Sequence, residues 1–246
     1  MSRPDIQNFG LRALEAWCEE LGEPRFRAAQ ILAWVHRKGA ADFVAMTNLS
    51  KRLRAALADH FTLDRFVPTF VATATDGTQK LLFHLPADPD TRTKPAAIES
   101  VLIPQFERHG GARDRLTLCV SSQAGCAMGC GFCATARLGL IRNLRPSEIV
   151  GQVRAGQHAA AEHPVTNLVF MGMGEPLANY DHVVTALEIL TADWGFAISP
   201  RRITVSTVGL APDIPRFIAE TRVLLAVSLT ATTDAQRGRL MPINQR

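Results

Sequence analysis

The sequence is short of several things, and each shortage closes off a class of function. It has one tyrosine and no stripe that alternates basic with aromatic residues, so it offers no stacking platform for single-stranded nucleic acid. No apolar run approaches the ~20 residues that span a bilayer. The first residues, Met1-Ser-Arg-Pro-Asp-Ile-Gln-Asn-Phe9, have no apolar signal core, so the cytoplasm is the expected compartment. Cysteine is scarce, with five in 246 residues, and three of them crowd together. That is not the spread of a secreted disulfide framework, and it suits a reducing compartment. Lysine is scarcer still, 4 against 23 arginines, and the net charge is only +4.

What charge there is sits unevenly. Arg108, Arg113, Arg115, Arg137, Arg142, Arg145 and Arg154 face only Asp114 and Glu148 in the same stretch. Either this is a solvated face or it is a rim that binds phosphate.

The arginines surround Cys126-Ala-Met-Gly-Cys130-Gly-Phe-Cys133, three thiols spaced by three residues and then two. Such a set can hold three irons of a [4Fe–4S] cluster and leave the fourth open, because these clusters ordinarily take four cysteines. Gly125, Gly129 and Gly131 suit a backbone that turns tightly around it. A zinc site would need a fourth ligand, and no nearby histidine pairs with the triplet.

Along the chain, residues 1–64 read as a small helical domain. Leu11–Trp17, Phe26–Val35 and Lys51–His60 show helical apolar spacing, with Ser50 as a cap for the last. Cys18, beside Trp17, reads as a buried helix residue. Residues 65–108 change to period two: a hairpin through Asp76-Gly77, a proline-rich loop over 86–95, and a strand over Ala97–Pro104. Glu99 lies in that apolar strand, either as a group suited to proton transfer or as an edge glutamate facing water.

Residues 109–246 alternate strands with helices. The strands are Leu116–Val120, Asn167–Met171, Arg202–Ser206 and Val223–Val227; Pro146 opens the helix after the first. This predicts an α/β fold with a parallel sheet. Ligands collect at the carboxyl ends of such strands. Those ends carry the cysteine loop, Gly172-Met-Gly-Glu-Pro176, Ser206-Thr-Val-Gly209 and Ser228-Leu-Thr230, so all four are expected to face one site.

Cys119-Val-Ser-Ser-Gln-Ala-Gly-Cys126, Phe132-Cys-Ala-Thr-Ala136, Arg142-Asn-Leu-Arg-Pro-Ser-Glu-Ile149, Gly172–Pro176 and Met241-Pro-Ile-Asn244 together resemble the RlmN/Cfr family of radical S-adenosylmethionine RNA methyltransferases, the RlmN branch most. Phe26–Ile31 and Met46–Ser50 resemble that branch's helical N-terminal domain, so the likeness covers almost the whole chain. The resemblance implies a partial (β/α) barrel, an RNA-docking role for residues 1–64, and methylation of C2 of adenine in ribosomal and transfer RNA. It implies a cluster on Cys126, Cys130 and Cys133, and S-adenosyl-L-methionine held by Gly174, Glu175, Ser206, Ser228, Leu229 and Thr230. Glu99 matches the family's general base. Cys119, on its own a small apolar strand residue, matches the cysteine that resolves a protein–RNA adduct. A flavodoxin-type electron donor and a monomeric state are expected.

The chain departs from the family pattern twice. Thr230 stands where histidine is usual. Only four of the family's six strand–helix units are visible, and no cysteine follows Cys133 to carry the methyl group. The chain is expected to stop short of that cysteine, and to bind cluster and cleave cofactor without completing transfer. The competing expectations are a radical enzyme with another substrate and a non-catalytic RNA-binding fragment.

Overall fold

The computed structural model describes residues 3–87, 93–106, 113–160 and 163–245. Parts of the loops expected over 86–95 and 106–115, with Arg108, lie outside the described residues, as does the expected helix end at Ala161.

Three helices, α1 (Leu11–Glu20), α2 (Phe26–Leu32) and α3 (Lys51–His60), enclose a core of their own around Leu14, Ile31, Leu32, Leu53 and Leu57. Ser50 caps α3 through its Oγ, which accepts the Leu53 N–H at 3.1 Å. Cys18 is fully buried in this core, and burial pushes its thiol up to about 11.

The chain then enters a seven-stranded mixed sheet in the order β1-β2-β3-β4-β7-β8-β9. β1 (Phe70–Thr73), β2 (Gln79–Leu85) and β3 (Ala96–Phe106) are antiparallel and join β4 (Arg113–Cys119). β7 (Asn167–Phe170), β8 (Ile203–Thr207) and β9 (Leu224–Val227) continue in parallel from β4. The hairpin extension is thus continuous with the parallel half. Pro104 lies past the β2 register, which ends at Leu102, and pairs only with Leu116 of β4, so β3 is an edge strand there.

The helices that alternate with these strands are α4 (Pro146–Ala159), α5 (Tyr180–Thr191), α6 (Asp213–Glu220) and α7 (Asp234–Leu240). Four strand–helix units are therefore in place, as the sequence predicts. Leu116, Leu118, Leu168, Phe170, Ile203 and Val205 face the helices and are buried. One short hairpin escaped the sequence reading: β5 (Gln123–Gly125) pairs with β6 (Leu140–Asn143) and closes the cysteine loop.

The helical domain and the sheet domain grip one another through helix ends. The Asn8 side chain accepts the Ser147 N–H at 3.0 Å in the first turn of α4. Glu188 on α5 accepts the Leu11 N–H at 3.1 Å, at the start of α1, where Gly10 provides no cap. Arg154 on α4 donates to Gln7 at 2.6 Å and to the Val35 carbonyl at 3.1 Å.

His36 lies beneath this junction, 4% exposed, beside Trp194 and Phe196. Neither ring nitrogen has a partner among the described residues. Burial, with the Arg154 charge second, lowers its pKa to about 3. A histidine held neutral in the fold but protonated near pH 6.5 when unfolded contributes stability above that pH and loses it toward pH 3. Replacing His36 with Phe should therefore flatten the acid side of the stability profile. Between pH 6 and 4 the parent should lose about 1.4 kcal/mol per pH unit relative to His36→Phe. Asp5, raised by burial to about 6, slopes the other way but is common to both proteins. Urea titrations at several pH values check this, and parallel profiles would reject it.

Candidate active site

Beyond Cys119 the chain does not enter a helix at once. Ser121, Ser122 and Gln123 continue inward, each at most 1% exposed. Ser121 is held on both sides of its main chain by Gln152 of α4, which accepts its N–H at 2.8 Å and donates to its carbonyl at 3.0 Å. The Ser121 hydroxyl donates to the Glu99 carbonyl at 2.7 Å and accepts the Met173 N–H at 2.9 Å. Gln123 donates to Asn143 of β6 at 2.7 Å and accepts the Glu175 N–H at 2.8 Å. This short segment thus ties β3, α4, the cysteine hairpin and the turn after β7 together.

The glycines follow from that crowding. Gly174 has φ +101, and a Cβ there would lie 2.5 Å from the Gln123 Cβ. Gly125 has φ +75, and a Cβ would meet the Gly139 carbonyl at 1.8 Å, the group that accepts the Cys126 N–H. Gly174 is needed for the turn to press on its neighbour, whether or not a ligand approaches it.

The cysteine loop and the strand ends enclose one cavity of about 340 Å³. Cys126, Cys130 and Cys133 line one side; Gly174 and Glu175, Ser206, Ser228 and Thr230 line the other. Burial pushes the Cys126 and Cys130 thiols up, and neighbouring cysteines add to it. A cationic group in the cavity would reverse that. Among the described residues no three thiols, imidazoles or carboxylates close on one point as a single ion requires. The three thiols that line the cavity are one donor short of tetrahedral zinc and match three irons of a [4Fe–4S] cluster.

Three predicted residues do not line the cavity. Leu229 is 60% exposed beside it. Cys119 ends β4, opposite Val101 of β3 and in register with Val169 of β7, and burial raises its pKa. Glu99 is two residues before Val101 on the same face, with Ser100 turned the other way to Gln152. Of the two readings of Glu99, the water-facing one holds: its side chain is 43% exposed and pairs with Lys80 at 3.0 Å.

Glu175 lines the cavity and also braces it. Its carboxylate is buried and occupied, accepting the Leu177 N–H at 3.1 Å and the Val208 N–H at 2.8 Å. It joins the turn after β7 to the end of β8, and burial raises its pKa despite the Val208 bond. Thr230 has φ +66, a costly conformation for a β-branched residue.

The arginine rim is only partly a rim. Arg154 is an internal strut, and Arg142 forms a two-pronged pair with Glu148 at 2.8 and 2.6 Å, their side chains 8% and 12% exposed. Arg115, Arg137 and Arg145 are exposed. The Arg142–Glu148 pair bolts β6, and with it the cysteine loop, to the first turn of α4. Removing one partner of a buried pair leaves an uncompensated charge, at about 3–5 kcal/mol. Arg142→Met should lower the melting temperature by several degrees, and Arg142→Met/Glu148→Gln should recover part of the loss. Thermal denaturation of the three proteins checks this; equal melting points would refute the bolt.

Comparison with known proteins agrees with this geometry. Residues 4–63 match the ribosomal RNA large subunit methyltransferase N-terminal domain, and residues 120–246 match the radical SAM superfamily. The chain is 48% identical over 245 residues to the dual-specificity RNA methyltransferase RlmN of Syntrophotalea carbinolica, covering 100% of this chain and 62% of that protein. It is 49% identical over 246 residues to the protein of the same description from Geotalea uraniireducens, covering 67% of it. A solved radical SAM methyltransferase from Sphaerobacter thermophilus aligns with a TM-score of 0.81 and 42% identity, over 99% of this chain and 68% of that one. The chain thus spans about two-thirds or less of the length of these curated relatives. With its cysteine loop, strand-end turns and helical N-terminal domain all matched, the chain belongs to the radical SAM superfamily and, within it, to the RlmN family.

Proposed function

We propose that the chain carries the cluster and cofactor chemistry of an RNA methyltransferase acting on C2 of adenine in ribosomal and transfer RNA. The observation that carries this reading is the single cavity lined by three cysteines on one side and by three strand-end turns on the other. Cys126, Cys130 and Cys133 would hold a [4Fe–4S] cluster, with S-adenosyl-L-methionine between it and the turns. When bound, the pair supplies one-electron cleavage of the sulfonium and the methyl group.

The chain's own residues divide the remaining work. The main chain at Gly174 and the hydroxyls of Ser206 and Ser228, 3.3 Å apart, offer polar contacts to the cofactor. Thr230 presents its hydroxyl from a strained turn, and Leu229 contributes from the rim. Glu175, which lines the cavity, holds the turn through the Leu177 and Val208 N–H groups and keeps lone pairs that can accept from the cofactor's ammonium. Glu99, on the open face of β3, is the proton acceptor, and Lys80 orients it. Cys119, on the same face, would resolve a protein–RNA adduct as a thiolate, forming a disulfide with the methyl-carrying cysteine as that sulfur's bond to the base breaks; no cysteine after Cys133 supplies that partner in this sequence. Residues 1–64 dock the RNA, residues 65–108 extend the sheet, and residues 109–246 form the radical core. A flavodoxin-type donor, a monomeric state and a cytoplasmic address complete the reading. Among the described residues no helix is long and apolar enough to cross a membrane.

Anaerobic reconstitution should yield about four irons and four sulfides per chain. Cys126→Ala, Cys130→Ala and Cys133→Ala should each abolish most of this, whereas Cys119→Ala should retain both cluster and cofactor binding. Stoichiometric zinc in place of iron would sink the cluster assignment. Fluorescence anisotropy should show tighter binding to a transfer RNA than to DNA of equal length, weakening with salt. Equal affinity for the two would reject the RNA reading.

A further inference from the structure

The helix α7 has no buried residue, so apolar packing does not seat it. What seats it is Arg237. Its Nη2 donates to the Val208 carbonyl at 2.6 Å, its Nε to the Leu229 carbonyl at 3.1 Å, and its Nη1 to Asn244 Oδ1 at 2.5 Å. A guanidinium suits this task, since its donors form a rigid planar fork.

The first two acceptors sit at the cavity mouth. Val208 follows β8, and its N–H is the one held by Glu175 at 2.8 Å. One residue is therefore gripped at both ends, by Glu175 from the turn after β7 and by Arg237 from α7. Leu229 follows β9, and its carbonyl also accepts the Ala231 N–H at 2.7 Å, closing a three-residue turn with Thr230 at φ +66. Positive-φ turns of this kind are strained and persist where the surroundings over-determine them. Arg237 supplies a second donor to the acceptor of that turn.

The same last turn of α7 also reaches the cysteine loop. The Leu240 carbonyl accepts the Gly131 N–H at 2.9 Å, between Cys130 and Cys133. Met241, next in sequence, is fully buried and lines the cavity. The last turn of α7 thus works as a strut that ties the cysteine loop to the turns after β8 and β9.

We propose that Arg237 is a positioning residue that sets the width of the cavity between the cysteine loop and the two strand-end turns, and thereby the affinity for the cofactor. This rests on the cofactor reading above.

The test uses Arg237→Gln and Arg237→Lys in the full chain, reconstituted anaerobically. Iron content should match the parent, because none of the three cysteines changes. The dissociation constant for S-adenosyl-L-methionine, read by equilibrium dialysis, should rise about 10- to 100-fold in Arg237→Gln, the scale of losing hydrogen bonds to a charged group. Arg237→Lys should recover only part, because one ammonium cannot span three acceptors from separate segments. Hydrogen exchange at residues 207–210 and 228–231 should quicken in Arg237→Gln. A lower melting temperature with an unchanged dissociation constant overturns the inference and leaves Arg237 a bolt in the fold. A parent that binds no cofactor refutes the cofactor reading instead. In that event exchange decides: faster exchange confined to the two turns upholds the strut, and unchanged exchange rejects it.

Discussion

The interaction on which the site depends is the grip of the Gln152 amide on the main chain of Ser121. It satisfies both backbone groups of a residue that leaves the sheet in a fully buried place. Unpaired, each of those groups would cost about 1–3 kcal/mol. With Ser121 fixed, its hydroxyl can serve Glu99 on one side and Met173 on the other. The next two residues extend the arrangement, with the Ser122 carbonyl accepting from Leu144 and Asn179 and the Gln123 side chain spanning Asn143 and Glu175. Of the side chains of Ser121, Ser122 and Gln123, the Ser122 hydroxyl alone is left without a partner among the described residues. The mouth of the cavity is therefore positioned by directional polar bonds, which tolerate less drift than apolar packing does.

That polar frame also accounts for the strain around the cavity. Gly174 can close against Gln123 only because it lacks a side chain. Thr230 has no such freedom and is held at positive φ by bonds at Leu229. Strain of this kind persists where neighbouring segments leave no alternative, and here the strand end, the helix α7 and the following turn all converge on it.

Much of this was legible in the sequence, and the rest was not for identifiable reasons. Alternating strands and helices carry local periodicity, so the four units and the strand-end turns could be located from apolar spacing alone. The cysteine loop was legible because its ligand-type residues are adjacent in the chain. The β5–β6 hairpin was not: Gln123–Gly125 is three residues long, and its partner is beyond the loop. Nor could Gln152 be singled out, since a buried glutamine in a helix resembles a solvated one until its distant partners are known. The surroundings of Glu99 depend on register. Lys80 reaches it only because β2 pairs Leu82 with Glu99, a relation that neither strand contains by itself. The arginine count misled in part for the same reason, since Arg142 and Arg154 find internal partners far from solvent.

The two faces of the sheet then separate two kinds of chemistry. The face toward α4 is closed: Leu118 packs against Gly156, and Ser100 is tied to Gln152. The opposite face carries Glu99, Val101 and Cys119, all only partly buried, and at its rim Met171 is 52% exposed. A cofactor of small size suits the cavity at the strand ends. A macromolecular substrate suits the open face, because only there can a base extruded from RNA reach Cys119 and Glu99 without parting the sheet from its helices. Neither candidate catalytic side chain lines the cavity, and in the proposed reaction neither should, since both would act on the nucleic acid and not on the cofactor. Met171 stands at the border, lining the cavity and touching Cys119 through its N–H. One strand end therefore separates the cavity from the open face, and the polar frame around Ser121 and the strut at Arg237 brace it.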